Sequence, residues 1–196
     1  WQKHKNVSYC LYGSKRHMMM NVFTLPSMPF YKFGDIIFLN KISLNDWIPF
    51  IQKRFADTEK KIGHNEAGLV AELTDCHPYY VQQLAQQSWL RTEAGCTREI
   101  VEVSFHDLVL QLSMLFQNLT DGLGRTSLSF LKALTDNITQ LSSQRTIQEY
   151  QLGTSANVLK IKKLLINKEI IDIHGNEISF LDPLYKFWLR EYFFNI

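Results

Sequence analysis

Cysteine is scarce in this chain. Cys10, Cys76 and Cys96 are the only three in 196 residues, an odd number without metal-ligand spacing. The expectation is reduced thiols in a cytoplasm, with neither a disulfide framework nor a zinc site. The six histidines are scattered, and no His-Glu-x-x-His, Cys-x-x-Cys or glycine-flanked nucleophile elbow occurs. No G-x-x-x-x-G-K-[ST] phosphate loop is present either; Gly13-Ser14-Lys15 matches only its last letters. Acidic residues are dispersed, so no carboxylate pair can be assigned to acid–base work. Together these absences argue against an independent catalytic centre. No apolar run approaches the roughly 20 residues of a membrane span, and nothing near Trp1 reads as a signal peptide. Charge of one sign is lacking too: a net +2 does not by itself argue for nucleic acid or an anionic membrane. The Asn6, Asn118 and Asn137 sequons carry little weight without secretion. There is no internal repeat and no low-complexity tract.

What is present begins with 45% hydrophobic residues in a length suited to one or two domains, a soluble globular composition. The most legible stretch is 151–192. Gly153 is expected to end a short helix, and Thr154 or Ser155 can cap the next, since a hydroxyl there accepts a bond from a first-turn amide. A helix over 156–168 then puts Val158, Ile161, Leu164 and Leu165 on one face and Asn157, Lys160, Lys163 and Asn167 on the other. Ile170, Ile171 and Ile173 lead through Gly175-Asn176 to Ile178 and Phe180, two β-branched runs around a turn that tolerates positive φ. A helix followed by a hairpin wing is the winged-helix pattern.

Upstream, Val7 to Tyr12 and Asp35 to Leu39 read as strands, separated by a helical stretch with Met18, Met19, Met20 and Phe23 and a loop set by Pro26 and Pro29. An apolar strand so near a terminus needs neighbours on both sides. Few other segments supply them, so the chain is expected to be a piece whose sheet lies upstream. From Ser43, an N-cap, a helix carries Trp47, Phe50, Ile51 and Phe55, with Pro49 tolerable only near its first turn. Gly63 is expected to close it. A short helix over 66–74 follows, then Cys76-His77-Pro78, where Pro78 opens a helix with Tyr79, Val81, Leu84, Ala85 and Trp89. A long helix after Thr97 places Phe105, Leu108, Val109, Leu112, Leu115 and Phe116 on its apolar face. Asp121-Gly122-Leu123-Gly124 reads as a domain boundary. The winged part follows, with helices around Leu128–Leu134 and Ile147–Tyr150 before the one over 156–168, and a last aromatic helix from Asp182-Pro183.

The order Tyr9-Cys10-Leu11-Tyr12-Gly13-Ser14, Met18 to Met20, Pro29-Phe30-Tyr31, His77-Pro78-Tyr79-Tyr80-Val81-Gln82, and Asp182-Pro183-Leu184-Tyr185-Lys186-Phe187-Trp188-Leu189-Arg190 resembles the C-terminal half of the archaeal-type ATPases of the STAND branch of the AAA+ superfamily. The likeness spans nearly the whole chain and rests on the combination. It implies a mainly α fold with a small β part: two strands of a truncated P-loop ATPase core over 1–40, an all-helical lid over 41–121, and a winged helix-turn-helix with a β-hairpin wing over 125–196. It also implies that the phosphate loop and metal-binding aspartate lie upstream. ATP, with Mg, would then be held by the parent protein, and no cofactor is expected on these residues alone. By the same resemblance Ser14 is a sensor-like hydroxyl beside the γ-phosphate, Arg16 a cation within reach of phosphate oxygens, and His77-Pro78 the end of a Gly-x-Pro lid motif whose proline packs near adenine. Cys76 stands where that motif has glycine.

Each residue also has a plainer role. Ser14 can be a turn or cap residue, Arg16 a solvated charge, Pro78 the first residue of a helix with His77 exposed at its cap, Asp182 a helix initiator and Trp188 packing between lid and winged helix. The winged helix itself admits two functions. As a DNA reader its third helix would direct Asn157, Lys160 and Lys163 at a duplex, helped by Lys162 and Lys168. Asp172, Glu177, Asp182 and Glu191 offset that charge, and the resemblance favours an interdomain coupling element with a protein partner or self-association. A third reading is a complete transcription regulator whose residues 1–120 sense a ligand or self-associate.

Overall fold

A computed structural model describes residues 4–13, 16–37, 39, 41–174 and 177–196. The chain divides into two compact units, Trp1–Asn40 and Lys41–Ile196.

In the first unit the methionine-bearing stretch forms helix α1, Arg16–Thr24. Its C-terminal turn is held by Thr24, whose hydroxyl donates to the Met20 carbonyl at 2.7 Å. Phe30 then packs 6.1 Å from Phe23 and 5.6 Å from Phe33, ring centre to ring centre, closing a small aromatic cluster over Pro26 to Phe33. The two strands expected over Val7–Tyr12 and Asp35–Leu39 do not form among the described residues. Strand geometry persists where a neighbouring backbone accepts and donates its hydrogen bonds, and the described residues pair no strand with either segment.

The second unit is built on four helices before the winged part. Helix α2 (Leu44–Ala56) starts at Ser43, whose Oγ accepts from the Asp46 amide at 3.3 Å as its position requires. It continues through Pro49 at its sixth residue, deeper than the first turn; the carbonyl that Pro49 leaves without a partner is that of exposed Asn45. Asp57, not Gly63, caps the end of α2. Gly63 precedes α3 (His64–Leu73) as its N-cap. Helix α4 (Pro78–Arg91) and helix α5 (Arg98–Asp121) follow, α5 capped by Thr97 Oγ1.

Two two-residue strands escaped the sequence pattern. Lys61–Ile62 (β1) pairs in parallel with Gly95–Cys96 (β2). The loop carrying β1 is pinned to α4 by Lys60, whose Nζ lies 4.2 Å from the Trp89 ring centre and donates to the Trp89 carbonyl at 2.8 Å.

Residues 125–196 supply a helix trio, α6 (Arg125–Thr135), α7 (Gln144–Glu149) and α8 (Ser155–Asn167). An antiparallel wing, β3 (Ile171–His174) and β4 (Glu177–Phe180), pairs Ile171 with Phe180. Helix α9 (Pro183–Trp188) then runs into a π-helical turn, Leu189–Phe193. Among the described residues no helix is long and apolar enough to cross a membrane.

Helix α5 and helix α9 join the two halves of this unit into one core. Phe116 lies 5.3 Å from Tyr185 and 5.9 Å from Trp188, and Phe105 meets Phe187 edge-on at 4.8 Å. Two polar pairs there are matched: Thr120 Oγ1 and Tyr185 Oη share a bond of 2.9 Å, and Trp188 Nε1 donates to Ser113 Oγ at 3.1 Å. The apolar periodicity overreached in two places. Leu115 of α5 and Leu164 of α8 share spacing with buried residues but are 53% and 41% exposed, because no second element lies opposite them among the described residues.

Candidate functional site

The residues singled out by sequence fall into three places. Ser14 lies outside the described residues, and Arg16 opens α1 with a side chain that is not described. His77 and Pro78 sit at the start of α4, in the second unit. Asn157, Lys160 and Lys163 belong to α8.

The corner before α4 is made by the way α3 stops. After the Thr74 C-cap, the Asp75 amide donates to Glu72 O at 3.0 Å and the Cys76 amide to Ala71 O at 2.8 Å, the paired bonds of a Schellman ending. Asp75 takes the left-handed φ of 49° that this ending needs, and Cys76 adds a second at 54°. Two successive left-handed residues, neither a glycine, are strained by contact of Cβ with the backbone. Asp75 pairs with Lys41 across the corner. Burial pushes the Cys76 thiol above its usual pKa; the Asp75 and Glu72 charges add to this, while Lys41 opposes it.

From that corner Pro78 emerges exposed at the first position of α4, its missing N–H costing nothing there. His77 is not exposed as expected at its cap. It is half-buried, its ring 5.1 Å from that of Tyr80, and its Nδ1 is buried without a hydrogen-bond partner. Tyr80 in turn donates its hydroxyl to Asp182 Oδ2 at 2.5 Å. Asp182 Oδ1 accepts from the Leu184 and Tyr185 amides at 2.9 and 3.1 Å, capping α9. One carboxylate therefore both starts the last helix and ties it to α4. Burial, the bond to Asp182, that residue's charge and then Tyr79 hold the Tyr80 phenol far above its ordinary pKa, so it stays protonated. Locally, Asp182 signals helix initiation and Tyr80 carries no signal of a role. Nothing local signals a bond spanning 102 positions.

On α8 the three expected residues separate. Asn157 does not face outward. Its Nδ2 donates to Leu152 O at 2.8 Å and its amide to Thr154 Oγ1 at 3.2 Å, so it fixes the turn between α7 and α8. Gly153 precedes it at a φ of +84°, a backbone conformation that would strain any side chain placed there. Lys160 and Lys163 are exposed, with no ion pair among the described residues, while Lys162 is half-buried.

A polar cleft of about 400 Å³ is lined by Ser129, Lys132, Asp136, Glu149, Tyr150 and Gln151. Its mixed charges single out no ligand class, and Asp136 is already engaged by the Tyr150 hydroxyl at 2.7 Å. No group of His, Cys, Asp and Glu able to hold a metal occurs among the described residues.

A family model described as "Probable winged helix domain" matches residues 114–191. No curated protein and no solved structure matches the chain. The match begins inside α5, eleven residues before α6, and so takes in Phe116 and Thr120, the α5 residues on which Tyr185 and Trp188 pack. The fold is mainly helical with a small strand part and includes a winged helix domain.

Proposed function

We propose that this chain is the lid and winged-helix part of a nucleotide-switched ATPase of the STAND type, coupling ATP binding elsewhere to interdomain signalling and not itself catalytic. The observation that carries the reading is the tie between the start of α4 and the start of α9. His77 packs on Tyr80, Tyr80 bonds Asp182, and Asp182 caps the helix whose Tyr185 and Trp188 lie in the core shared with α5. A shift of the His77–Pro78 corner would thus reach the winged helix through packed and hydrogen-bonded groups with little slack. The left-handed φ of Cys76 supports the likeness to a Gly-x-Pro lid motif, since the position is one that glycine adopts without strain. Exposed Pro78 and Tyr79 offer an apolar edge to a planar base. Ser14 and Arg16 remain proposals for the phosphate side.

The test is ATP binding to the parent polypeptide with its phosphate loop, measured by calorimetry with and without Pro78→Ala. A loss of roughly tenfold in affinity supports the lid reading. Unchanged affinity removes Pro78 from the site, and a parent that binds no nucleotide ends the reading.

A second reading, a winged-helix DNA-binding regulator, is favoured by the exposed lysines of α8 that lack ion pairs. It predicts duplex binding that falls steeply with salt and is lost in Lys160→Ala and Lys163→Ala.

A further inference from the structure

The outward face of α8 has a pattern that a phosphate-binding helix does not need. At about 100° per residue, Leu159, Lys163, Lys160 and Leu164 follow one another around the exposed side. The lysines are therefore a central stripe, and the leucines, 59% and 41% exposed, border it on either side. No acidic residue lies on α8, so nothing on the helix neutralises the stripe.

We propose that this face docks an acidic amphipathic segment of a protein, with carboxylates on Lys160 and Lys163 and apolar side chains on Leu159 and Leu164. Charge complementarity selects the acidic partner, and the two leucine borders select one with apolar groups beside its acids. A duplex fits less well. Its phosphates would run past both α8 and the wing, and the wing bears exposed Glu177, which repels them. Leucines beside a phosphate backbone gain nothing, whereas a protein segment can cover α8 alone and bury them. The inference does not depend on nucleotide at the lid, so the two proposals fail separately.

The experiment selects random peptides displayed on phage against the full chain, with depletion on Lys160→Glu/Lys163→Glu and on Leu159→Ser, each variant first checked for native circular dichroism. The expected result is enrichment of sequences that set Asp or Glu beside Leu or Phe. A representative peptide should then lose roughly tenfold or more in affinity on either variant, read by fluorescence anisotropy. No enrichment over the depleted pool overturns the proposal, as do selected peptides that bind both variants as well as the native chain. Tight binding of a short DNA duplex, abolished by Lys160→Glu/Lys163→Glu and unaffected by Leu159→Ser, overturns it in favour of nucleic acid.

Discussion

The first forty residues and the remainder of the chain are both rich in apolar side chains, and they dispose of them differently. Tyr12 and Ile37, in the first unit, are 92% and 82% exposed, and Val7 and Leu39 are exposed as well. Phe116, Leu131, Leu165 and Leu184, in the second, are wholly buried. Hydrophobicity is not what separates them. In the second unit apolar residues recur at helical spacing and another helix stands opposite, so that Phe116 meets Tyr185 and Trp188 across α5 and α9. In the first, the described contacts are short-range, Phe30 packing on Phe23 and Phe33 and His4 on Tyr9, and they leave much of the apolar surface open. Composition makes a core possible, and facing elements make it.

The sharpest way to break this contrast is to remove a side chain from each unit. Trp188→Ala should lower stability by about 3–5 kcal/mol, since it empties a packed site and removes the bond to Ser113, whose hydroxyl keeps only the Val109 carbonyl. Ile37→Ala should change it by less than about 0.5 kcal/mol. Urea denaturation checks both, with Trp188→Phe as the milder variant if the first does not fold. Equal losses would mean that the first unit has a core of its own.

Next in size is the tie from α4 to α9. Asp182→Ala removes an N-cap and a charge-assisted bond together, an expected loss of about 2 kcal/mol, against about 1 kcal/mol for Tyr80→Phe. The double variant should fall short of their sum, because both substitutions delete the same bond. Strict additivity would show that Tyr80 and Asp182 do not act as a pair.

A smaller effect of opposite sign is expected at the strained corner. Cys76→Gly should raise stability by about 0.5 kcal/mol, the relief of a left-handed residue less the added freedom of the unfolded chain. A loss would show that packing of the Cys76 side chain outweighs its backbone strain.

The smallest concerns pH. Burial, followed by the bond to Asp136 and the charges of Asp136 and Glu149, pushes the Tyr150 phenol up to about 12. A pKa raised by folding adds stability that is complete below the unfolded value of about 10 and disappears as pH rises through about 12. Tyr150→Phe should therefore forfeit that contribution at neutral pH, a small loss for an exposed bond, and flatten the further loss of stability across the alkaline window. An unchanged slope would mean that the bond to Asp136 does not persist in solution.

Helix starts were legible in this chain and helix stops were not. Ser43 and Asp182 could be read as helix starters, and Thr154 as one of two candidates beside Ser155, because each reaches an amide two or three positions ahead, a relation written locally. Stops were sought at glycine, yet Gly63 begins a helix, and Gly153 lies beyond the true end of α7. The left-handed residues that end α3, α6, α7 and α8 are Asp75, Asn137, Gln151 and Glu169. After each comes an apolar residue whose amide bonds back into the helix, Cys76, Ile138, Leu152 and Ile170 in turn. Leu152 and Ile170 are fully or nearly buried, and that burial holds a non-glycine residue in an unfavourable φ. The same blindness applies to the candidate sites. Lys160 and Lys163 were placed correctly on the open side of α8, whereas Asn157 turned inward to a carbonyl that only the preceding turn brings near.

Alone, the order of residues determined that helices occur from α2 onward, several of the caps that start them and the wing, because these depend on periodicity and on contacts a few positions apart. It also lacks the phosphate loop, His-Glu-x-x-His, Cys-x-x-Cys and glycine-flanked nucleophile elbow. Tertiary structure decided which apolar stripes find cover, leaving Leu115, Leu159 and Leu164 in the open. It decided the pairing of Lys61–Ile62 with Gly95–Cys96 and the bond from Tyr80 to Asp182. These join positions far apart in the chain, and their free energy exists only once several helices have packed, so no local pattern announces them.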